Sequence, residues 1–146
     1  VSAQPSAVVE VAAAVDDELV DAVVGLLPQL SSSATFDRAL LERVVASEAA
    51  TLFVARLDGA IVGMATLVAY AIPTGVRGHI DDVVVDESTR GRGVARSLLE
   101  AMIARSAELG IRTLDLTSRP SRVAAIRLYE SVGFVRRDTN TFRFAG

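Results

Sequence analysis

Residues 83–100 read VVVDESTRGRGVARSLLE, a β-branched run that breaks into small and basic residues and then into helix. A helix N-terminus leaves backbone N–H groups unpaired and carries the positive end of the helix dipole, so anions bind there. Gly91 and Gly93 let successive amides turn toward one point. Ala95 keeps the first helical turn free of bulk, and Arg90 and Arg92 add charge that suits phosphate oxygens. This is the chemistry of a pyrophosphate site, and it follows an apolar strand end and precedes an amphipathic helix. The alternative is a surface connection that uses glycine for turning and arginine for solubility. A P-loop is excluded because the chain has no lysine. A dinucleotide fingerprint fails because Arg96 fills the third glycine slot, after at least four strands.

A second group of chemically capable residues lies just upstream, where His79, Asp81 and Asp82 open the same strand. Adjacent acids in a strand otherwise destined for burial need a reason. Strict alternation puts His79, Asp81, Val83 and Val85 on one face and Ile80, Asp82 and Val84 on the other, unless a bulge swaps the parity. Further on, Tyr129 is a phenol on a helix, suited either to proton transfer or to packing beside Phe134.

Composition narrows what these groups can serve. A chain of 146 residues, 51% hydrophobic with net charge −3, describes one compact domain over 1–146, with residues 1–6 expected as a flexible tail. Cysteine is absent, which removes disulfides, thiol nucleophiles and cysteine-based metal sites and fits a cytoplasmic setting. Residues 7–15 lack a basic leader and carry Glu10, so no targeting segment is expected. No apolar run approaches the roughly 20 residues needed to span a bilayer. The acidic balance, with only 5% aromatic residues, argues against a nucleic-acid partner.

The elements that must position the site follow from periodicity. Asp16, Asp17 and Glu18 start a helix through LVDAVVGLLPQL, Ser31–Ser33 connect, and Phe36, Leu40, Leu41, Val44 and Val45 mark a second amphipathic helix. TLFVARLDGAIVGMATLVAY is two strands joined by the tight turn Asp58-Gly59. GHIDDVVVD is a third strand, followed by a helix from Val94 to Leu109 closed by Gly110. RTLDLTS is a further strand, SRVAAIRLYESVG a further helix, and FVRRDTNTFRF a terminal pair of short strands. The expected fold is α/β with a mixed α+β sheet, in the order β-α-α-β-β-β-α-β-α-β-β.

Arg90-Gly91-Arg92-Gly93-Val94-Ala95 resembles the signature [Q/R]-x-x-G-x-[G/A] of the GCN5-related N-acetyltransferases (GNAT). The surrounding HIDDVVVDESTRGRGVARSLLEAMIARSAELGIRTLDLTS and AAIRLYESVGF are similar to that family's strand, loop and helix blocks, and the element order over 7–144 matches its fold. The resemblance implies an acyltransferase with acetyl-CoA as co-substrate and no metal, acting on a primary amine of a small molecule or a protein. It implies pyrophosphate on the amides of 91–95 and a pantetheine arm pairing with the backbone of Val83, Val84 and Val85. Arg122 stands where many members place an asparagine that contacts the cofactor.

In such a reaction an amine attacks a thioester carbonyl, the oxyanion needs a donor and the leaving thiolate needs a proton. The family position of Tyr129 implies the acid. A phenol of pKa about 10 can protonate a thiolate whose conjugate acid lies near 8.5 when the two are held close. Asp81 is the first candidate to accept the proton or bind the ammonium, Asp82 the next, and His79 the third. An acidic pair suits a cationic amine. The resemblance implies an acceptor pocket walled by the Ser31–Ser33 region, Tyr70 and Arg143. The GHIDDVVVD block is similar to glucosamine-phosphate acetyltransferases, while the second half departs from them. The resemblance also leaves room for a homodimer formed through strands near the C-terminus. A non-catalytic acyl-CoA-binding or sensor domain is the alternative, which would keep residues 90–95 and not depend on Tyr129.

Overall fold

The computed structural model describes residues 6–146, so all but the last residue of the expected tail lies outside the described residues. The chain forms two compact units that divide between Leu116 and Thr117. The first holds a five-stranded sheet of β1 (Val8–Val11), β2 (Ala50–Leu57), β3 (Ala60–Ile72), β4 (Gly75–Val85) and β5 (Thr113–Asp115), with α1 (Asp17–Leu30), α2 (Arg38–Ala46) and α3 (Val94–Glu108). The second holds α4 (Val123–Ser131) and the residues after it.

Each strand pairs with its neighbour in sequence order. The first three pairings are antiparallel, and β4–β5 is parallel because α3 carries the chain back across the sheet. The mixed sheet expected from the sequence is therefore present. Asp58 and Gly59, with φ of 51° and 84°, make the β2–β3 turn, as an Asp-Gly hairpin requires.

The helices form where caps and apolar spacing agree. Asp16 caps α1 by accepting from the Leu19 N–H at 2.9 Å, and Asp37 caps α2 by accepting from the Leu40 N–H at 3.2 Å. Leu19, Val23 and Leu26 of α1 and Leu41 of α2 join Leu52, Val54, Met64 and Val84 in one buried cluster. Register places Phe53, Ala65, Leu67 and Ile80 on the other face of the sheet. There, Val94, Leu98, Leu99 and Met102 of α3 are almost wholly buried. Gly63 sets how closely α3 lies to the sheet. A Cβ there would stand 3.1 Å from Val94 Cγ1 and 3.3 Å from Leu98 Cδ1, so the missing side chain draws the start of the helix against β3.

Two expectations are corrected. The strand expected over 112–118 spans only Thr113–Asp115, and the segment 134–144, expected as two short strands, forms no regular strand. No Asn-Gly or Asp-Gly turn registers that segment. Its apolar residues Val135, Phe142 and Phe144 are exposed, and an isolated hairpin without a packed face is marginal in water.

Leu98 has no solvent exposure. Leu98→Ala is expected to destabilise the protein by about 2–5 kcal/mol through lost burial and the cavity left behind, measured by urea denaturation. A loss well under this range would show that α3 can settle onto the sheet to fill the space.

Candidate functional site

The site begins with one extra residue in β4. Thr66 of β3 faces Asp81, and Met64, two residues back, faces Val84, so two steps on β3 are matched by three on β4. This is a β-bulge at Asp82–Val83, and Asp82 takes φ of 54°, a left-handed conformation that aspartate tolerates better than most residues. The bulge exchanges the faces. His79, Asp81 and Val84 lie on the side of the α1–α2 cluster, whereas Ile80 and Val85 lie on the α3 side. Of the two parities the sequence leaves open, the bulged one is present, and Val85 does not share the face of Asp81.

The other edge of β4 is open where the bulge occurs. β5 pairs with Arg77, Gly78 and His79 and stops at Asp115. Among the described residues, no strand pairs with that edge from Ile80 to Val85. Exposed backbone at such an edge can accept an added extended chain.

β4 then runs into the glycine loop. The Asp86 N–H donates to Val62 O at 2.7 Å, and the Thr89 N–H and Arg90 N–H close a short 3-10 turn onto Asp86 O and Glu87 O. The nearly buried Thr89 adds a hydroxyl bond to Asp86 O at 3.0 Å. Gly91 and Gly93 follow with φ of 81° and 79°. At both, the space a Cβ would fill is open. Glycine is thus required for backbone conformation, and it leaves the approach to the loop clear. Gly93 is the N-cap of α3 and makes no side-chain cap bond, so the start of this 15-residue helix carries its positive dipole end without a side-chain cap. Among the described residues, Arg92 Nε is buried with no hydrogen-bond partner. An unfulfilled cationic donor beside uncapped amides fits an anionic ligand such as a pyrophosphate.

The acids differ in their surroundings. Asp81 is exposed, and its Oδ2 lies 3.1 Å from His79 Nδ1. Asp82 also reaches solvent, yet the surrounding chain desolvates its carboxyl enough to push its pKa upward, and the neighbouring charge of Asp81 pushes the same way. In the second unit, Tyr129 packs edge-on against Phe134, with ring centroids 6.3 Å apart, and its backbone carbonyl accepts from the Phe134 N–H at 3.0 Å. Burial pushes the phenol up, while the positive charge of Arg122 opposes this. Arg122 itself directly precedes α4.

β4 and its loop thus bring together His79, Asp81, Asp82, Val83–Val85 and Arg90–Ala95, while Tyr129, Arg122 and Arg143 belong to the second unit. Ser31–Ser33 fall in the α1–α2 connection, and Tyr70, half-exposed, faces Arg77 across β3–β4. Gln29 was not legible as a site residue. Its amide contacts Asp86 and Glu87, 57 and 58 positions away, and no local pattern announces that contact. Among the described residues, no group of three or more His, Asp or Glu is placed to hold a metal ion, and no helix is long and apolar enough to cross a membrane.

Residues 14–134 match the family model described as Acetyltransferase (GNAT) family. The chain belongs to this family. Among curated relatives, a mycothiol acetyltransferase of Thermobispora bispora is 36% identical over 90 residues, covering 60% of this chain and 30% of that protein. A [ribosomal protein bS18]-alanine N-acetyltransferase of Escherichia coli (strain K12) is 43% identical over 53 residues, 36% of each chain. The chain therefore spans about a third of the length of these relatives. The solved structure of AAC(6')-Iy, in complex with the bisubstrate analog CoA-S-monomethyl-acetylneamine, superposes with a TM-score of 0.80 over 97% of this chain and 99% of that one. At 19% identity this likeness shows the GNAT fold.

The raised carboxyl of Asp82 has a consequence for stability. Over the pH interval from the ordinary aspartate range up to its raised value, the folded chain binds more protons than the unfolded chain, so stability falls as pH rises through it. Asp82→Asn removes this slope. The variant is expected to gain stability relative to the parent protein as pH rises across the interval, read from urea denaturation at several pH values. A relative loss instead would mean that the fold favours the charged carboxylate.

Proposed function

We propose that this chain is an N-acetyltransferase that moves an acetyl group from acetyl-CoA to a primary amine, and that residues 1–146 act as a single acetyltransferase domain. One observation carries the reading. The edge of β4 that parts from β5 after His79 leads, through one short 3-10 turn, into a glycine loop that opens onto the N-terminus of α3, which has no side-chain cap. An extended polar arm ending in a pyrophosphate matches that combination: backbone groups for the arm, then amides and a cation for the phosphates.

Val83, Val84 and Val85 would hold the pantetheine arm by main-chain bonds. The amides of Gly91 to Ala95, with Arg90 and Arg92, would hold the pyrophosphate, and Arg122 would add charge toward the cofactor. Bound acetyl-CoA supplies an acetyl thioester. Asp82 takes a proton from the incoming ammonium, since its raised pKa brings it nearer to that of an amine than an ordinary aspartate, while Asp81, paired with His79, holds the cationic acceptor. Tyr129 keeps its proton at neutral pH and gives it to the departing sulfur. Proton removal from nitrogen and delivery to sulfur thus fall to different residues.

The paired acids favour a cationic amine, on a small molecule or at a protein N-terminus. The relatives, one a mycothiol acetyltransferase and one an acetyltransferase for the alanine of ribosomal protein bS18, are in keeping with either source. The absence of cysteine suits a cytoplasmic enzyme, and a homodimer is compatible with the exposed C-terminal residues.

Calorimetric titration tests the reading directly. Acetyl-CoA and coenzyme A are expected to bind saturably, and pantetheine, which lacks the pyrophosphate, much more weakly. Absence of binding by all three would reduce the glycine loop to a turn. Binding without turnover over a broad panel of amines would instead favour an acyl-CoA sensor. Tyr129→Phe is expected to lower kcat by about 100-fold or more with little change in cofactor affinity, as for loss of a general acid. Gly93→Val forces a β-branched residue to positive φ and puts a side chain into the open approach to the loop, so it is expected mainly to weaken cofactor binding. Equal losses of both properties in both variants, through unfolding, would contradict this division of roles.

A further inference from the structure

Gln29 lies in the last turn of α1, directly after Pro28, and its amide bonds to three groups. Nε2 donates to Gly25 O at 3.1 Å and to Asp86 Oδ1 at 2.8 Å, and Oε1 accepts from the Glu87 N–H at 2.9 Å. Asp86 is the first residue beyond β4 and is held from every side. Its N–H donates to Val62 O, its carbonyl accepts from Thr89, and its carboxylate accepts from the Ser88 hydroxyl as well as from Gln29. These hydroxyl and amide donors keep the carboxyl below the ordinary aspartate range. The entrance to the glycine loop is therefore clamped between β3 and α1.

We propose that Gln29 is a positioning residue for the cofactor. By fixing both the side chain of Asp86 and the amide of Glu87, it sets where the chain leaves β4, and hence where Gly91–Ala95 present their amides. The bond to Gly25 O restrains the Gln29 amide, so its donor side faces Asp86 and its acceptor side faces the Glu87 N–H. The clamp lies only a few residues before Gly91, and the hydrogen-bonded turn over Glu87–Thr89 carries the constraint across them. The inference rests on the reading of residues 90–95 as the pyrophosphate anchor.

The polarity of the pair supplies a test that separates positioning from stability. Gln29→Ala removes both loop bonds. Gln29→Glu keeps an acceptor for the Glu87 N–H but sets a second carboxylate against Asp86. Adding Asp86→Asn restores one bond with its direction reversed, since the new amide at position 86 donates to the new carboxylate at position 29, and it leaves an oxygen for Ser88. Dissociation constants for coenzyme A and for pantetheine are measured by calorimetry on the parent protein and the three variants, with thermal midpoints alongside. Gln29→Ala is expected to weaken coenzyme A about 5- to 10-fold while leaving pantetheine unchanged. Gln29→Glu is expected to weaken coenzyme A further, and the double variant to recover to within about twofold of the parent protein. Unchanged coenzyme A affinity in Gln29→Ala, equal weakening of both ligands, or no recovery in the double variant would overturn the assignment. If the parent protein itself does not distinguish coenzyme A from pantetheine, the anchor reading fails first and takes this assignment with it.

Discussion

The arrangement of the first unit depends on one inserted residue in β4. A regular strand would keep Ile80 and Val84 on the same face, so one of the two helix layers would lose an apolar contact. The bulge at Asp82–Val83 sends Ile80 toward α3 and Val84 into the cluster with α1 and α2, so both layers are filled from one strand. The same irregularity puts two carboxyl groups at the point where β4 and β5 part. Core packing and the candidate chemistry are therefore not independent, because a register that satisfied one without the bulge would misplace the other.

The glycine loop depends on a comparable sharing of tasks. Gly63, within β3, lets α3 approach the sheet closely, and this fixes the start of the helix near the end of β4, where Gly63 pairs with Val85. The loop between them is then short enough for a few bonds to set its course: Val62 from β3, Gln29 from α1 and the turn onto Asp86. The entrance to the loop is thus held by a main-chain carbonyl of β3, a side chain of α1 and the turn after β4.

Much of this was legible in the sequence. The acidic start Asp16–Glu18, the Asp58-Gly59 hairpin, the Gly110 stop and the helical spacing of Leu40, Leu41, Val44 and Val45 are local signals, and each marks an element the structure contains. The loop at 90–95 was legible because glycine at positive φ and an uncapped helix start leave a mark within six residues. The bulge was not, since β-branched residues on both sides of Asp82 fit either parity, and register is decided by the partner strand. Gln29 was hidden for a similar reason, as its contact joins positions far apart in the chain. The terminal strands were misread because alternation in FVRRDTNTFRF is a strand signal only where another strand is present to receive it.

An unpaired stretch of strand edge is also a hazard. Backbone groups from Ile80 to Val85 with no strand beside them among the described residues would accept another extended chain, including that of another molecule, and so invite aggregation. The bulge and the two adjacent negative charges answer this, since a kinked, anionic edge is a poor template for a second strand. By mass action, a ligand that binds only the folded chain also stabilises it. The abundance of such a ligand would then govern how long the protein survives as well as how fast it works.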